Sequence, residues 1–322
     1  MTEYHSAFRD KITGFLDFHA SCGFKRKPYL SDFMKFDRWC LENHPGQSAL
    51  SRELVHEWID DSAASRSDAS RRAVVMRQFG KYLAAIGEDA YVLSAKYVPL
   101  RSVAVPFLFT DDELSALFRA IDALPPTRRE PFFNEIAPVL FRLIYTCGLR
   151  PNEGRELLEK NVNLLTGEIL ITHTKRNKER MVVMSDDMAA LARNYAPRRA
   201  VFANGNPYFF PSNSGEALTR ETVYSAFNRA WSLADTPDKR KKRVRVYDLR
   251  HRFASACLNR WMDEGENLMA MLPFLREYMG HETLSETAYY IHILPENLAK
   301  SPAIDWDSFN AIFPEVEYEE SR

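Results

Sequence analysis

The stretch that decides the fold carries a Gly-His pair and, nine residues after its histidine, a tyrosine: Tyr278-Met279-Gly280-His281-Glu282-Thr283-Leu284-Ser285-Glu286-Thr287-Ala288-Tyr289-Tyr290-Ile291-His292. Two shorter stretches precede it, Gly148-Leu149-Arg150-Pro151-Asn152-Glu153 and Leu249-Arg250-His251. Arginine binds phosphate oxygens through a planar fork that keeps its charge, and a phenol can act as a nucleophile. Arginines, histidines and a late tyrosine therefore predict chemistry on a phosphodiester.

Taken in this order, the three stretches resemble the motifs of the tyrosine recombinase (phage integrase) family. Residues 146–153 match the family pattern T-G-L-R-x-x-E except at Cys147, and residues 249–254 match L-R-H-x-F-A. The resemblance implies a site-specific recombinase, Xer-like or borne on a transposon, that cleaves and rejoins duplex DNA through a 3'-phosphotyrosyl intermediate. No metal, ATP or other cofactor is expected, and the sequence has no G-x-x-x-x-G-K-[ST] loop.

The resemblance also assigns roles at the site. Arg150 and Arg250 are expected to clamp the scissile phosphate, and His281 to donate a hydrogen bond to one of its oxygens. Tyr290 is the expected nucleophile. Tyr289 competes with it, but neighbouring helical residues point about 100° apart, so only one of the two can face the site.

Two further residues complete the expected site. Lys175 is predicted to protonate the leaving oxygen, because it lies 25 residues after Arg150 on a polar hairpin tip where the family carries its catalytic lysine. Lys178 is the alternative to it. Glu153 braces the site in the family without reacting.

The sequence departs from the family at Tyr247, where the pattern H-x-x-R has histidine. A phenol cannot become a cation, so the general base is left open. In one alternative, Tyr247 orients the phosphate and the cationic field lowers the pKa of the attacking phenol. In the other, His251 or His173 substitutes for the missing histidine. We keep Tyr247 in the catalytic set and His251 as a supporting residue, but expect His251 to face elsewhere because it directly follows Arg250.

Apolar residues three or four apart, with charged residues between them, predict a mainly α-helical chain. Residues 1–97 carry four such segments, near 5–20, 30–43, 52–62 and 66–86. Residues 98–109 lack a helical period and contain two prolines, which predicts a linker. The second domain, 110–300, begins at a capping-box pattern, and its tail is 301–322.

The second domain is predicted to be mostly helical with one small antiparallel β-insert, formed by residues 167–173 and 180–184. Its helices are expected near 129–147, 152–160, 186–196, 219–233, 247–262, 267–280 and 284–293. The resemblance implies that an N-terminal helical core-binding (SAM-like) domain and a C-terminal catalytic domain close around duplex DNA. The apolar tail is expected to dock on a neighbouring protomer, as in the family, or on its own chain.

Composition indicates the cellular compartment. The chain has 322 residues, of which 45% are hydrophobic, and four cysteines without a CxxC pair, which favours reduced thiols in the cytoplasm. The N-terminus lacks the pattern of a signal peptide, and no apolar run approaches the roughly 20 residues that cross a bilayer. We therefore expect a cytoplasmic, nucleoid-associated protein that does not contact membranes.

The net charge of −1 argues mildly against nucleic acid, but eight Lys and Arg residues lie between positions 238 and 252. The expected partners are duplex DNA at a specific site, further copies of the chain from dimer to tetramer, and an accessory recombinase or directionality protein. The predicted phosphate contacts are Lys25, Arg26, Lys27, Arg71, Arg72, Arg77, Lys241, Lys242 and Arg243.

Three alternatives stay open at the level of sequence. A type IB topoisomerase-like enzyme shares the Arg, Lys and Tyr chemistry, but would relax DNA as a monomer. A member of the same fold that binds DNA without catalysis would explain Tyr247. An unrelated helical scaffold would require four motifs to occur in order by chance, namely the three stretches above and residues 175–180, which resemble the family's K-x-N-K-x-R pattern.

Overall fold

The computed structural model describes residues 3–24, 26–60, 63, 65–97, 106–128, 130–172, 178–236 and 244–292. The chain divides into two compact units, Met1–Ala104 and Val105–Arg322. Within the described residues, both units are built mainly from α-helices, with a single two-stranded antiparallel sheet in the second. This confirms the predicted fold class. None of the described helices is both long and apolar enough to span a bilayer.

The first unit is a group of four helices around an aromatic core. They are α1 (Arg9–Ser21), α2 (Lys27–Asn43), α3 (Arg52–Asp60) and α4 (Arg66–Ala85). Phe15 packs edge-to-face on Phe33 and Phe79, with ring centroids 5.2 and 5.7 Å apart. The predicted boundaries agree to within four residues. α1 begins later than predicted because the carboxylate of Asp37 binds the backbone amides of residues 5 and 6 at 2.9 Å.

Two arginines predicted to contact phosphate have structural roles in this unit. Arg72 is buried, with its guanidinium 3.7 Å from the ring centroid of Trp58 and a salt bridge to Asp68 at 2.8 Å. Arg77 donates to the carbonyls of Ser94 and Tyr97 at 2.8 and 2.7 Å. Their guanidiniums hold the protein's own groups, so we remove both from the predicted DNA contacts.

The second unit surrounds one apolar helix, α6, which packs against α5, α8 and α10. A Pro-Asn-Glu turn and a β-hairpin follow α6, and five helices complete the described part. The elements are α5 (Asp111–Asp122), α6 (Phe133–Thr146), α7 (Pro151–Arg155), a 3₁₀ turn (Glu159–Asn161), β1 (Glu168–Ile171), β2 (Arg180–Val183), α8 (Asp186–Phe202), α9 (Arg220–Leu233), α10 (Val246–Asp263), α11 (Leu268–Met279) and α12 (Leu284–His292).

The start of the second unit differs from the predicted linker. Phe107 and Phe109 are buried, and both rings pack on Trp231, at centroid distances of 5.6 and 5.5 Å. Residues 106–109 therefore belong to the core of this unit. The lack of a helical period predicted a linker, but the two phenylalanine rings bury a large apolar area and so hold the segment against the unit. Thr110 forms the predicted capping box with Glu113.

Gly148 sets the path of the chain from α6 into α7. Its φ is 58°, a conformation that glycine adopts readily, and its carbonyl accepts a hydrogen bond from Arg250 at 2.6 Å. A Cβ at this position would lie 2.4 Å from the ring of Phe253. Backbone conformation and close packing therefore both require glycine here.

We expect Gly148→Ala to lower the free energy of unfolding of the second unit by about 3 kcal/mol, the sum of a left-handed backbone cost and overpacking. Gly265→Ala is the matched control, since Gly265 has φ 73° with no atom within 4 Å of its Cβ position, and should cost about 1 kcal/mol. Urea unfolding of both variants measures the difference. Equal losses would show that Phe253 does not constrain this turn.

Candidate active site

The carboxylate of Glu153 lies among three arginine side chains. Arg180 binds it with two hydrogen bonds, from Nη1 to Oε1 at 2.9 Å and from Nη2 to Oε2 at 2.7 Å. Arg150 Nη1 donates to Oε1 at 2.8 Å, and Arg250 Nη1 lies 3.9 Å from Oε2. The three arginines come from the α6–α7 turn, β2 and α10, so one carboxylate joins three parts of the unit.

Glu153 is ionised despite its burial. The side chain is 5% exposed, and burial alone raises the pKa of its carboxyl. The hydrogen bonds and charge of Arg180, with the charges of Arg150 and Arg250, outweigh burial and lower the pKa to about 2. The carboxylate therefore offsets part of the repulsion among three guanidiniums and leaves the group positive.

Arg250 is fully buried beneath the site. Its Nη1 donates to the carbonyl of Gly148 at 2.6 Å, and its Nη2 donates to the carbonyl of Met279 at 2.7 Å. Its Nε is also buried and has no hydrogen-bond partner among the described residues. A buried donor without a partner costs free energy unless a ligand satisfies it.

Arg150 joins the α6–α7 turn to the end of α11. It is the N-cap residue of α7, and its Nη2 donates to the carbonyl of Gly280 at 2.7 Å. Gly280 ends α11 in the left-handed conformation, with φ 65°, and a Cβ there would lie 3.1 Å from Nη1 of Arg180. The predicted Gly-His pair thus packs directly on the arginine group.

Tyr290 lies on α12 between two histidines and is 2% exposed. Its ring stacks on His281 at a centroid distance of 5.9 Å and an angle of 16°, and lies 5.5 Å from the ring of His251. Burial raises the pKa of its phenol to about 12, although the charge of Arg250 and a hydrogen bond from it act in the opposite direction. The neighbouring Tyr289 is only partly buried.

The expectation that His251 faces elsewhere is wrong. Its ring packs on Tyr247 at 4.9 Å and 63°, as well as on Tyr290. Tyr247 and His251 are four residues apart on α10, so they share one face of the helix. The structure therefore brings both residues to the same site as the predicted nucleophile.

His281 has a defined partner. Its Nδ1 lies 2.8 Å from Oγ1 of Thr287, which is fully buried on α12. Burial, followed by the charges of Arg250, Arg150 and Arg180, lowers the pKa of His281 to about 3. The imidazole is therefore neutral at pH 7 in the unbound protein.

A cavity of about 640 Å³ opens beside these side chains. Arg150, Tyr247, His251, His281 and Tyr290 all line it. The predicted acid Lys175 lies outside the described residues, as does His173, whereas the alternative Lys178 is exposed and lines the cavity. Within the described part of the chain, no group of His, Cys, Asp and Glu side chains is arranged to hold a metal ion.

Sequence reasoning missed Arg180. It appeared only as the last letter of a K-x-N-K-x-R pattern, yet it is the arginine that binds Glu153 most closely, and its Nε donates to the carbonyl of Tyr278 at 2.8 Å. Its strand, Arg180–Val183, packs on α11, a contact that only the structure shows.

The predicted DNA contacts are only partly described. Arg26 and Arg71 are exposed; Arg26 pairs with Asp17, and Arg71 pairs with Asp32 at 2.9 Å and Asp68 at 2.6 Å. Outside the described residues or side chains lie Lys25, Lys27, Lys241, Lys242 and Arg243.

Comparison with known proteins identifies the chain's family. The model of the "Phage integrase family" matches residues 108–297, which is more than half of the chain. The chain belongs to the phage integrase family. Its members are tyrosine recombinases, a class of enzymes that transfer DNA strands, as the resemblance implied.

Curated relatives of the family span almost the same length. The integrase/recombinase y4rE of Sinorhizobium fredii is 28% identical over 294 residues, which cover 90% of this chain and 93% of that protein. The tyrosine recombinase XerD of Pseudomonas putida is 27% identical over 282 residues, covering 85% and 88%.

Solved structures share the fold. XerH recombinase bound to a difH substrate has a TM-score of 0.65 at 19% identity, with 88% of this chain and 80% of that chain covered. A lambda integrase tetramer bound to a Holliday junction has a TM-score of 0.63 at 15% identity, with 87% and 76% covered. At these identities the likeness shows the fold alone.

The low pKa of Glu153 makes stability depend on pH in a defined direction. A folded-state pKa below the ordinary value of 4.5 stabilises the protein fully above pH 4.5, and this stabilisation is lost as the pH falls towards 2. Glu153→Gln removes the ionisable group but keeps its shape. We expect the stability difference between wild type and Glu153→Gln to shrink by about 2 kcal/mol between pH 7 and pH 3.

Urea unfolding of both proteins at several pH values measures this difference. Glu156→Gln is the control, because Glu156 lies three residues away and pairs with Arg155 at a more exposed position. A stability difference for Glu153→Gln that stays constant from pH 7 to pH 3 would contradict the assigned charge state.

Proposed function

We propose that this chain is a site-specific tyrosine recombinase that cleaves and rejoins duplex DNA through a 3'-phosphotyrosyl link at Tyr290. The observation that carries the proposal is the position of this phenol. It is buried on α12, against Arg250 and between two histidines, at a cavity whose walls are rich in arginine. No other tyrosine of the described site has this combination of burial and cationic contacts.

The arginine group suits the scissile phosphate. Arg150 is partly exposed at the cavity, and the buried Nε of Arg250 has no partner among the described residues. In our proposal, Arg150, Arg250 and His281 bind the non-bridging oxygens, where negative charge grows as the transition state forms. Glu153 and Arg180 hold these groups in place and do not contact the substrate.

The phosphoryl group then passes from DNA to the protein. The Tyr290 oxygen attacks phosphorus, and the 5'-oxygen leaves and is protonated by Lys175, for which Lys178 is the alternative. A 5'-hydroxyl from the partner duplex later attacks the phosphotyrosyl bond. Each step exchanges one phosphoester for another, so the sequence of steps needs neither ATP nor metal.

The partners follow from the solved neighbours. XerH was solved on difH DNA and lambda integrase as a tetramer on a Holliday junction. We propose that this chain likewise binds duplex DNA, assembles from dimer to tetramer on it, and acts in the cytoplasm at the nucleoid, with an accessory recombinase or directionality protein as a further partner. Arg26, Arg71 and the basic run 239–245 supply phosphate contacts.

The same comparisons disfavour the alternatives. The curated relatives are named as integrases or recombinases, and the family model covers all six proposed catalytic residues. A topoisomerase-like activity would require the chain to relax DNA as a monomer, and nothing in the described site favours this outcome over strand exchange. A binding-only role leaves the buried phenol beside Arg250 without a purpose.

Tyr290→Phe is expected to abolish the covalent protein–DNA adduct, because only the attacking oxygen is removed. Tyr289→Phe, its matched control on the same helix, should retain adduct formation within about threefold, since its hydroxyl is not used. The probe is a set of nicked suicide duplexes, tiled across the DNA that flanks this chain's own gene. Adduct is measured by gel shift and located by peptide mapping; an adduct that survives Tyr290→Phe would refute the assignment.

Tyr247 and Arg250 should differ in importance. We expect Tyr247→Phe to slow adduct formation by no more than about tenfold, because an uncharged hydroxyl supplies one hydrogen bond. Arg250→Ala should abolish the adduct, since it removes a buried cation and its bonds to two loops. Rates on the same duplexes decide this, and equal losses in both variants would mean that Tyr247 takes part in the chemistry itself.

A further inference from the structure

Two phenols and two imidazoles meet at the base of the cavity. Tyr247 and His251 lie on one face of α10, Tyr290 lies on α12, and His281 follows the end of α11. The ring of His251 contacts both phenols, at 4.9 Å from Tyr247 and 5.5 Å from Tyr290. His251 is therefore the imidazole that contacts both Tyr247, where the family pattern has histidine, and the proposed nucleophile Tyr290.

His251 also has unused hydrogen-bonding capacity. The residue is 9% exposed, and its Nδ1 is buried with no partner among the described residues. By contrast, Nδ1 of His281 is 2.8 Å from the hydroxyl of Thr287. A buried ring nitrogen without a partner is costly, so its retention beside a reactive phenol points to a use during the reaction.

The reaction requires a proton acceptor. Tyr290 is a neutral phenol at pH 7, because its pKa is raised to about 12, and its proton must leave as the oxygen bonds to phosphorus. Tyr247 is a poor acceptor, since a neutral phenol has no basic lone pair comparable to that of imidazole. Of the described histidines at the site, His251 is the one with an unpartnered Nδ1.

We propose that His251 is the general base of this enzyme and that it replaces the histidine absent from position 247. The inference rests on the proposed function of Tyr290. As the bond from the Tyr290 oxygen to phosphorus forms, the phenolic proton moves to an imidazole nitrogen of His251. The bond from phosphorus to the 5'-oxygen breaks with its electron pair on that oxygen, which takes a proton from Lys175 and departs as a 5'-hydroxyl.

The reverse step uses the same residues. When a 5'-hydroxyl attacks the phosphotyrosyl bond, His251 returns its proton to the Tyr290 oxygen, and Lys175 recovers one from the attacking hydroxyl. The protons therefore balance over the two steps. Both ligation and cleavage then depend on His251.

The surroundings keep His251 ready to accept a proton. Burial, followed by the charges of Arg245 and Arg250, lowers its pKa to about 3, so the ring is neutral before DNA binds. Among the described residues, His281 and the two phenols are the other titratable groups that face it. A bound phosphodiester adds a negative charge beside the same arginines, which raises the affinity of the ring for a proton.

His251→Phe tests the proposal, because phenylalanine keeps the ring contacts with Tyr247 and Tyr290 and removes only the nitrogens. On the suicide duplex that gives adduct with wild type, we expect the adduct rate to fall by about 100-fold or more. His251→Gln, a smaller polar variant, should show a comparable loss. Rates within about threefold of wild type in either folded variant overturn the inference and leave His251 a packing residue.

A duplex with sulfur in place of the bridging 5'-oxygen separates a base from an acid. A thiolate leaves without being protonated, so this duplex should restore the rate of Lys175→Ala but not that of His251→Phe. Restoration of His251→Phe on it would mean that His251 protonates the leaving group, which contradicts our proposal.

Tyr247→His combined with His251→Phe places an imidazole at the family's position. We expect this double variant to form adduct at least about tenfold faster than His251→Phe, and this recovery would also show that the variant folds. No recovery, with both proteins folded, counts against the proposal. Absence of adduct from wild type on every duplex would instead refute the proposed function itself, and an unchanged His251→Phe rate would refute only the inference.

Discussion

The buried ion pairs between Glu153 and three arginines are the interaction on which the rest of the site depends. Three guanidiniums from separate elements would repel one another at this distance, and the carboxylate makes their approach favourable. Removing one partner of a buried ion pair leaves the others uncompensated, which is more costly than losing a surface pair. Glu153 thereby fixes the α6–α7 turn, β2 and α10 relative to each other.

The same arginines also fix the position of the reacting groups. They donate to the carbonyls of Gly148, Tyr278, Met279 and Gly280, which lie at the ends of α6 and α11. The chain then turns through His281 into α12, which carries the phenol. A phosphate would thus meet cations that are already oriented, and preorganised charge is the largest single contribution to many enzymatic accelerations. The positive charge that a phosphate site needs is supplied by these clustered arginines, although the whole chain has a net charge of −1.

Much of this arrangement could be predicted from sequence. Apolar periodicity located the helices, and the family motifs named Arg150, His281 and Tyr290, which line one cavity, and Arg250, which is buried beside Glu153. The assignment of their roles remains a proposal. Prediction failed where charge alone was taken to indicate a DNA contact: Arg72 is buried, with its guanidinium over the ring of Trp58 and paired with Asp68, and only tertiary contacts reveal this.

Arg180 and His251 were misjudged for different reasons. A strand of four residues is too short for sequence alternation to show which face is buried, so the inward direction of Arg180 had no signal of its own. For His251 the signal was present, since its spacing of four from Tyr247 places both on one helical face. Comparing it only with the adjacent Arg250 gave the wrong direction.

The most direct measurement of the central claim is the ionisation state of Glu153 in the folded protein. Carbon-13 NMR of the glutamate side-chain carboxyls, with the Glu153 signal assigned by its loss in Glu153→Gln, reports this state at each pH. At pH 4 an ordinary glutamate, with a pKa of 4.5, is mostly protonated, whereas Glu153, with a pKa of about 2, is predicted to remain an ionised carboxylate. A Glu153 signal that titrates with a midpoint near 4.5 would contradict the view that this carboxylate holds the three arginines together.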